Sequence, residues 1–177
     1  MKTGAKQILA LALLLTVASG AFAARDEKTK SAAHSRFDQF KQLAGDWVGT
    51  TSMDGKTGGE VHVKYKVTSA QSAVVETVFP DTDQEMVTIL ARDGDDIELT
   101  HYCAMGNQPR MKAPDKDAGN AVAFKFTHGG NMKSDKEMHM HNVTYTFVDK
   151  DTLKGEWTHY ANGKPAGVLT FLLKRKG

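Results

Sequence analysis

The chain has 177 residues, with 23 lysines and arginines against 21 aspartates and glutamates, and one cysteine. Residues of both signs are interspersed, so the sequence lacks the basic stripe with which a nucleic-acid-binding protein contacts phosphates. The same balance argues against a polybasic protein that binds membrane surfaces.

The N-terminal residues have the pattern of an export signal. Lys2 and Lys6 form a basic segment, an apolar run covers 8–18, and Ala21-Phe22-Ala23 has the small-x-small pattern of a cleavage site. The apolar run, about eleven residues, is too short to cross a bilayer as a helix. The sequence therefore predicts a signal peptide at 1–23, a periplasmic or secreted location, and a mature chain without a membrane span.

A linker and a short helix are predicted next. Residues 24–35 have no apolar periodicity, which is typical of a disordered linker. Phe37, Phe40 and Leu43 then recur at helical spacing. This pattern predicts an amphipathic helix over 36–44, whose aromatic face would cover one end of a barrel.

The remaining sequence alternates between short apolar-polar segments and turn signals. Strands are predicted at about 46–52, 59–68, 72–79, 85–92, 95–104, 108–113, 119–127, 137–148, 151–160 and 166–174. Connections this short join antiparallel neighbours, and the charged outer faces exclude a membrane-spanning barrel. The sequence therefore predicts an all-β domain at 36–177, a closed antiparallel up-and-down barrel of about ten strands with a short N-terminal helix.

One short motif at the start of the first strand carries a family resemblance. Gly45-Asp46-Trp47 follows the predicted helix and resembles the Gly-x-Trp signature of the lipocalin-like, or calycin, barrels. With ten strands, the chain resembles the fatty-acid-binding and nitrobindin-like branch of that superfamily. The resemblance covers 36–177 and implies a small-molecule carrier. It also implies that a basic residue of the last strand, Lys174 or Arg175, lies over Trp47 in a cation–π contact.

The fifth strand carries the first group of candidate site residues. Alternation places Leu99, His101 and Cys103 on one face with Ile97, and the aliphatic residues mark that face as interior. The β-carbons of His101 and Cys103 would be roughly 6–7 Å apart, which is too far for an easy hydrogen bond between them. Both could bind one metal ion or line one cavity, or they could be a buried thiol and a hydrogen-bonded core histidine.

The eighth strand carries the second group. Alternation places five residues on one face, predicted to be the inner one together with Phe124 and Phe126 of the preceding strand: His139, His141, Val143, Tyr145 and Phe147. Imidazoles at i and i+2 suit zinc, copper or haem iron, although the same groups could line an organic-ligand cavity or simply pack. Met138 and Met140 face the other way and could act as soft copper ligands only if the strand were irregular.

The bend after Gly106 adds two candidates. Gln108 and Arg110 are either at the barrel mouth, where their N–H groups would orient an anion, or in a solvated turn. The sequence has no Gly-x-Ser-x-Gly, His-Glu-x-x-His or Cys-x-x-Cys motif, and no catalytic residue is predicted.

Three functions remain open. The leading prediction is an exported protein that binds a small apolar or amphipathic ligand through Tyr65, Leu99, His101, Cys103, Gln108, Arg110, Phe124, Phe126, His139, His141 and Tyr145. The alternative is a protein that binds haem or a transition metal through His101, Cys103, His139 and His141, with redox or isomerase activity as one outcome. The third is an interaction module with a packed interior.

Overall fold

A computed structural model describes residues 31–113 and 119–177, with side chains from residue 36 onward. The predicted signal peptide and residues 24–30 of the predicted linker lie outside the described residues. Within these ranges, no helix is long and apolar enough to cross a membrane.

The described chain forms one helix and ten strands. In chain order the elements are α1 (Ser31–Lys41), β1 (Gly45–Met53), β2 (Lys56–Thr68), a 3-10 turn (Ser69–Gln71), β3 (Ala73–Val78), β4 (Met86–Asp93), β5 (Asp96–Tyr102), β6 (Gln108–Ala113), β7 (Ala121–Gly130), β8 (His139–Asp149), β9 (Thr152–Ala161) and β10 (Lys164–Arg175).

The ten strands close into a barrel in which each strand pairs with its sequence neighbours and β1 pairs with β10. All these pairings are antiparallel, including the closing pair from Trp47↔Arg175 to Met53↔Leu169. The predicted fold class is confirmed, and every predicted strand end lies within three residues of the observed one.

The helix α1 covers one end of the barrel. It begins at Ser31, inside the segment predicted to be a linker, and ends at Lys41, before the predicted position. Phe37 and Phe40 are fully buried. The Phe40 ring packs edge-on against three rings of the barrel interior at 5.2–5.9 Å, those of Phe124, Tyr145 and Phe147.

The position of α1 distinguishes the two ends of the barrel. The guanidinium of Arg92, at the end of β4, lies 5.0 Å from the Phe37 ring centroid, so the turn from β4 to β5 is at the helix end. The connections from β3 to β4 and from β5 to β6 therefore lie at the opposite end. We call that end the open end, because α1 covers the other one.

Trp47 and Arg175 fasten the first strand, the last strand and α1 together. The Arg175 guanidinium lies 4.5 Å from the Trp47 ring, which confirms the predicted cation–π contact and assigns it to Arg175. Arg175 also donates to the carbonyls of Ala44 at 2.9 Å and Gln42 at 2.8 Å. The indole N–H of Trp47 donates to the Leu43 carbonyl at 2.7 Å. These bonds hold the chain between α1 and β1 against the closed sheet.

Replacing Arg175 by methionine should destabilise the barrel. R175M removes the cation–π contact and two hydrogen bonds to carbonyls, and we expect the free energy of unfolding to fall by about 2 kcal/mol. Urea unfolding of the purified protein measures this change. K176M, which removes one exposed positive charge from the next residue, is the matched control and should lose little. Equal losses in both variants would contradict the assigned role of Arg175.

Candidate functional site

The loop between β5 and β6 forms one side of the open end. The Cys103 N–H donates to the Asn107 carbonyl at 3.1 Å, and the Gly106 N–H donates to the Cys103 carbonyl at 2.8 Å. The buried Asn107 side chain donates to the Met138 carbonyl at 2.8 Å. These bonds fix the loop at 103–107 to the segment that precedes β8.

His101 lies just inside this loop and faces the barrel interior, as predicted. It pairs with Thr88 of β4, and its Nδ1 makes a 2.9 Å hydrogen bond with the Thr88 hydroxyl. The residue is 3% exposed, and no described residue makes a hydrogen bond to its Nε2. Burial lowers the pKa of His101 to about 4, so the imidazole is neutral at physiological pH. Its buried Nε2 is therefore an unused polar atom inside an apolar environment.

Two neighbouring spaces lie at the open end. A cavity of about 10 Å³, roughly the room for one water molecule, is lined by Val78, Met86, His101, Met140, Trp157, Leu169 and Phe171. A wider open groove of about 550 Å³ lies at the mouth, lined by Phe79, Thr82, Asp83, Gln84, Met86, Cys103, Ala104, Met105 and Met140. Met86 and Met140 line both spaces, so these two side chains separate the groove from His101.

A β-bulge in β8 changes the predicted faces of this strand. Met140 pairs with His159 and Asn142 with Thr158, which leaves His141 as an extra residue on β8. The extra residue places Met140 in the interior, where it lines the cavity. His139 precedes Met140 directly and so points to the opposite face. The prediction that Met140 points away from the interior is therefore wrong, whereas His139, on the other face of the strand from Met140, is still buried, with 1% exposure.

The two histidines of β8 instead form an aromatic cluster. The Nε2 of His139 makes a 2.9 Å hydrogen bond with Nδ1 of His141. The His141 ring is stacked between Phe126, at 4.6 Å, and Tyr160, at 3.6 Å. Burial, and then the neighbouring His139, lower the pKa of His141. The predicted pair is thus brought together, but it lines neither the cavity nor the groove.

A buried carboxyl group in the barrel core was not among the sequence candidates. The hydroxyl of Tyr65 donates to Oε2 of Glu76 at 2.9 Å, and that of Tyr145 donates to the same oxygen at 2.7 Å. Burial raises the pKa of Glu76 to about 7, although both tyrosine hydrogen bonds act to lower it. The pKa values of Tyr65 and Tyr145 are raised well above the usual value, mainly by burial. The signal was present in the sequence, since Glu76 alternates with Val74 and Val78.

The other predicted residues are divided between core and surface. Tyr65, Leu99, Phe124 and Tyr145 belong to the packed core, so these predicted walls contact one another. The side chain of Gln108 donates to the Gly106 carbonyl of the preceding loop, and exposed Arg110 lies 3.7 Å from Glu98. Neither residue lines the groove, and both belong to strand β6 rather than to a turn, with Arg110 exposed.

The predicted four-residue metal set is not assembled. His101 and Cys103 face the open end, whereas His139 and His141 belong to the aromatic cluster. Across residues 31–113 and 119–177, no three His, Cys, Asp or Glu residues are grouped so that they could hold a metal ion.

Comparison with known proteins identifies the fold. No family model matches the chain, and no curated protein matches it. Among solved structures, Rv2717c from M. tuberculosis matches with a TM-score of 0.59 and 16% identity, over 80% of this chain and 97% of that one. A protein of unknown function from the DUF3598 family of Nostoc punctiforme matches with a TM-score of 0.51 and 12% identity, over 76% of this chain and 48% of that one. At these identities the likeness is one of fold alone, a closed antiparallel β-barrel.

The buried Glu76 should make stability depend on pH. Its folded-state pKa, about 7, lies above the ordinary value of 4.5, so its contribution is complete below pH 4.5 and is lost as the pH rises through 7. We expect E76Q to gain about 3 kcal/mol in unfolding free energy, relative to the wild type, between pH 4 and pH 8. Urea unfolding across this range measures the difference.

The control for E76Q is E60Q, which changes an exposed carboxylate on β2. E60Q should follow the wild type across this pH range. Parallel curves for E76Q and the wild type would mean that Glu76 does not titrate in the folded protein.

Proposed function

We propose that this protein binds a small, largely apolar molecule in the groove at the open end, with His101 as the polar group beneath it. The observation that carries the proposal is the pair of neighbouring spaces that share Met86 and Met140 as lining residues. The pattern of a signal peptide at 1–23 suggests that this binding takes place in the periplasm or outside the cell.

The lining of the groove suits an apolar ligand of variable shape. Phe79 supplies an aromatic wall, and Met86, Met105 and Met140 supply flexible, polarisable side chains that adapt to different surfaces. A ligand that loses about 300 Å² of apolar surface gains roughly 7 kcal/mol, from which the cost of its immobilisation must be subtracted. After that subtraction the gain lies below the roughly 8 kcal/mol of a micromolar complex, so apolar burial of this size gives weak binding, and a larger buried surface or a polar contact must add to it.

His101 would give the site its one deep polar contact. The Thr88 hydroxyl can either donate to Nδ1 or accept from it, so Nε2 can serve as a donor or as an acceptor. A ligand with one hydroxyl or carbonyl could reach this atom if Met86 and Met140 moved apart. Because the imidazole is neutral at physiological pH, it would not select for anions.

The geometry does not favour haem at His101. A histidine that binds a metal usually has its other ring nitrogen held by a hydrogen bond. His101 has such a bond, between Nδ1 and the Thr88 hydroxyl. However, the space next to His101 is about 10 Å³, and Met86 and Met140 lie between it and the groove. The residues therefore do not fit a porphyrin with its iron at His101.

A pair of methionine substitutions tests the groove. Met105 lines the groove and is 57% exposed, whereas Met138 is 48% exposed and does not line it. We expect ligand-stripped protein to bind an uncharged lipophilic dye such as Nile red, measured by fluorescence. M105E should weaken this binding at least tenfold because it places a carboxylate against the bound dye.

M138E is the matched control and should bind the dye as the wild type does. The proposal would be overturned if the wild type took up no dye, or if both variants bound it equally well.

A further inference from the structure

Four sulfur-bearing side chains meet at the open end of the barrel. Met86, Cys103, Met105 and Met140 all line the groove, and Cys103 is the only cysteine of the chain. Cys103 is half-buried and its thiol is free. These residues come from β4, from the loop after β5 and from β8, so the fold assembles them from distant parts of the sequence.

The register of β4 with β5, continued by one residue beyond its last pair, would place Met86 opposite Cys103. The observed register ends at Val87↔Tyr102, and the next residues outward are Met86 and Cys103. Directly opposite residues of an antiparallel pair have β-carbons about 4.5–5.5 Å apart, and methionine has three rotatable bonds with which to position its sulfur. The two sulfur atoms can therefore reach a common point above the Thr88↔His101 pair.

The bulge in β8 adds a third sulfur. With regular alternation Met140 would point away from the interior, but the extra residue His141 turns it inward. Met140 then lines the cavity with Met86 and His101, and the groove with Met86 and Cys103.

A second, independent observation is a buried ring nitrogen without a partner beside the same side chains. The Nε2 of His101 is buried and receives no hydrogen bond from any described residue, although a buried polar atom normally has a partner. His101 contributes to the same cavity as Met86 and Met140. A bound cation at this point would satisfy the free nitrogen.

We propose that the open end binds one Cu(I) ion through the thiolate of Cys103 and the thioethers of Met86 and Met140, with His101 as a deeper fourth donor. Thiolate and thioether ligands are soft and select Cu(I). Zinc takes thiolate, imidazole and carboxylate ligands, so the two thioethers are what disfavours zinc here, while calcium and magnesium take oxygen ligands and find none in this set. Binding would release the thiol proton of Cys103. This proposal goes beyond the binding of an apolar ligand and does not depend on it.

The test is an anaerobic competition for Cu(I) between the reduced full-length protein and the chelator bathocuproine disulfonate. We expect the wild type to take one Cu(I) per chain. C103S should bind at least 100-fold more weakly, and M86L and M140L at least tenfold more weakly. Leucine conserves the volume of methionine but removes its sulfur, so these two variants should keep the fold, which circular dichroism checks.

M53L is the matched control because Met53 is an exposed methionine on β1 that lines neither the cavity nor the groove. It should bind Cu(I) as the wild type does. X-ray absorption at the copper edge should show a first shell dominated by sulfur.

Two outcomes would overturn the proposal. If M86L and M140L bind as the wild type does while C103S does not, the thiol alone holds copper. If all variants bind equally, or the first shell is nitrogen and oxygen, the ion is adventitious. Dye binding is measured without metal, so the failure of one proposal leaves the other intact.

Discussion

The pairing of β1 with β10 leaves the described sheet without a free edge, and the position of every possible site depends on this closure. Once the sheet is closed, a side chain points either into a limited interior or out to solvent. Trp47 and Arg175 lie at the end of this closing pair, where they also hold the chain that leads from α1. Closure and the covering helix are thus stabilised by the same contacts. The end that lacks this helix contains the groove and the small cavity beside His101.

Packing of the interior further restricts where a ligand can lie. The side chains predicted as walls of a central cavity, among them Leu99, Phe124 and Tyr145, contact one another in the core. Tyr65 and Tyr145 use their hydroxyls to stabilise Glu76, so these three polar groups are paired with one another. The Nε2 of His101 and the indole nitrogen of Trp157 have no hydrogen-bond partner among the described residues, and both residues line the small cavity. Of these two nitrogens, only that of His101 can act as an acceptor or as a metal ligand.

Much of this arrangement could be predicted from the sequence because period-two alternation reports directly on a strand that is half-buried. The alternation predicts the ten strands and the inward orientation of His101. The family resemblance predicts a basic residue over Trp47. The alternation does not predict the face of Met140, because a bulge adds one residue and reverses the alternation beyond it. No residue near His141 marks that position as a bulge. The burial of Glu76 is not predicted for another reason: an acidic side chain is normally exposed unless it has a buried partner, and the pairing with two tyrosines appears only in the folded barrel.

The bulge in β8 determines which side chains, and so which chemical groups, line the open end. Without the extra residue, imidazoles would face the interior and the site would be polar, with groups suited to zinc or to an anion. With it, His139 and His141 are held by Phe126 and Tyr160, and Met140 replaces them at the cavity. A thioether carries no charge, adapts to apolar surfaces and binds soft metals. Both proposals for the groove depend on this single inserted residue, since it brings the uncharged, polarisable thioether of Met140 to the place where each ligand would bind.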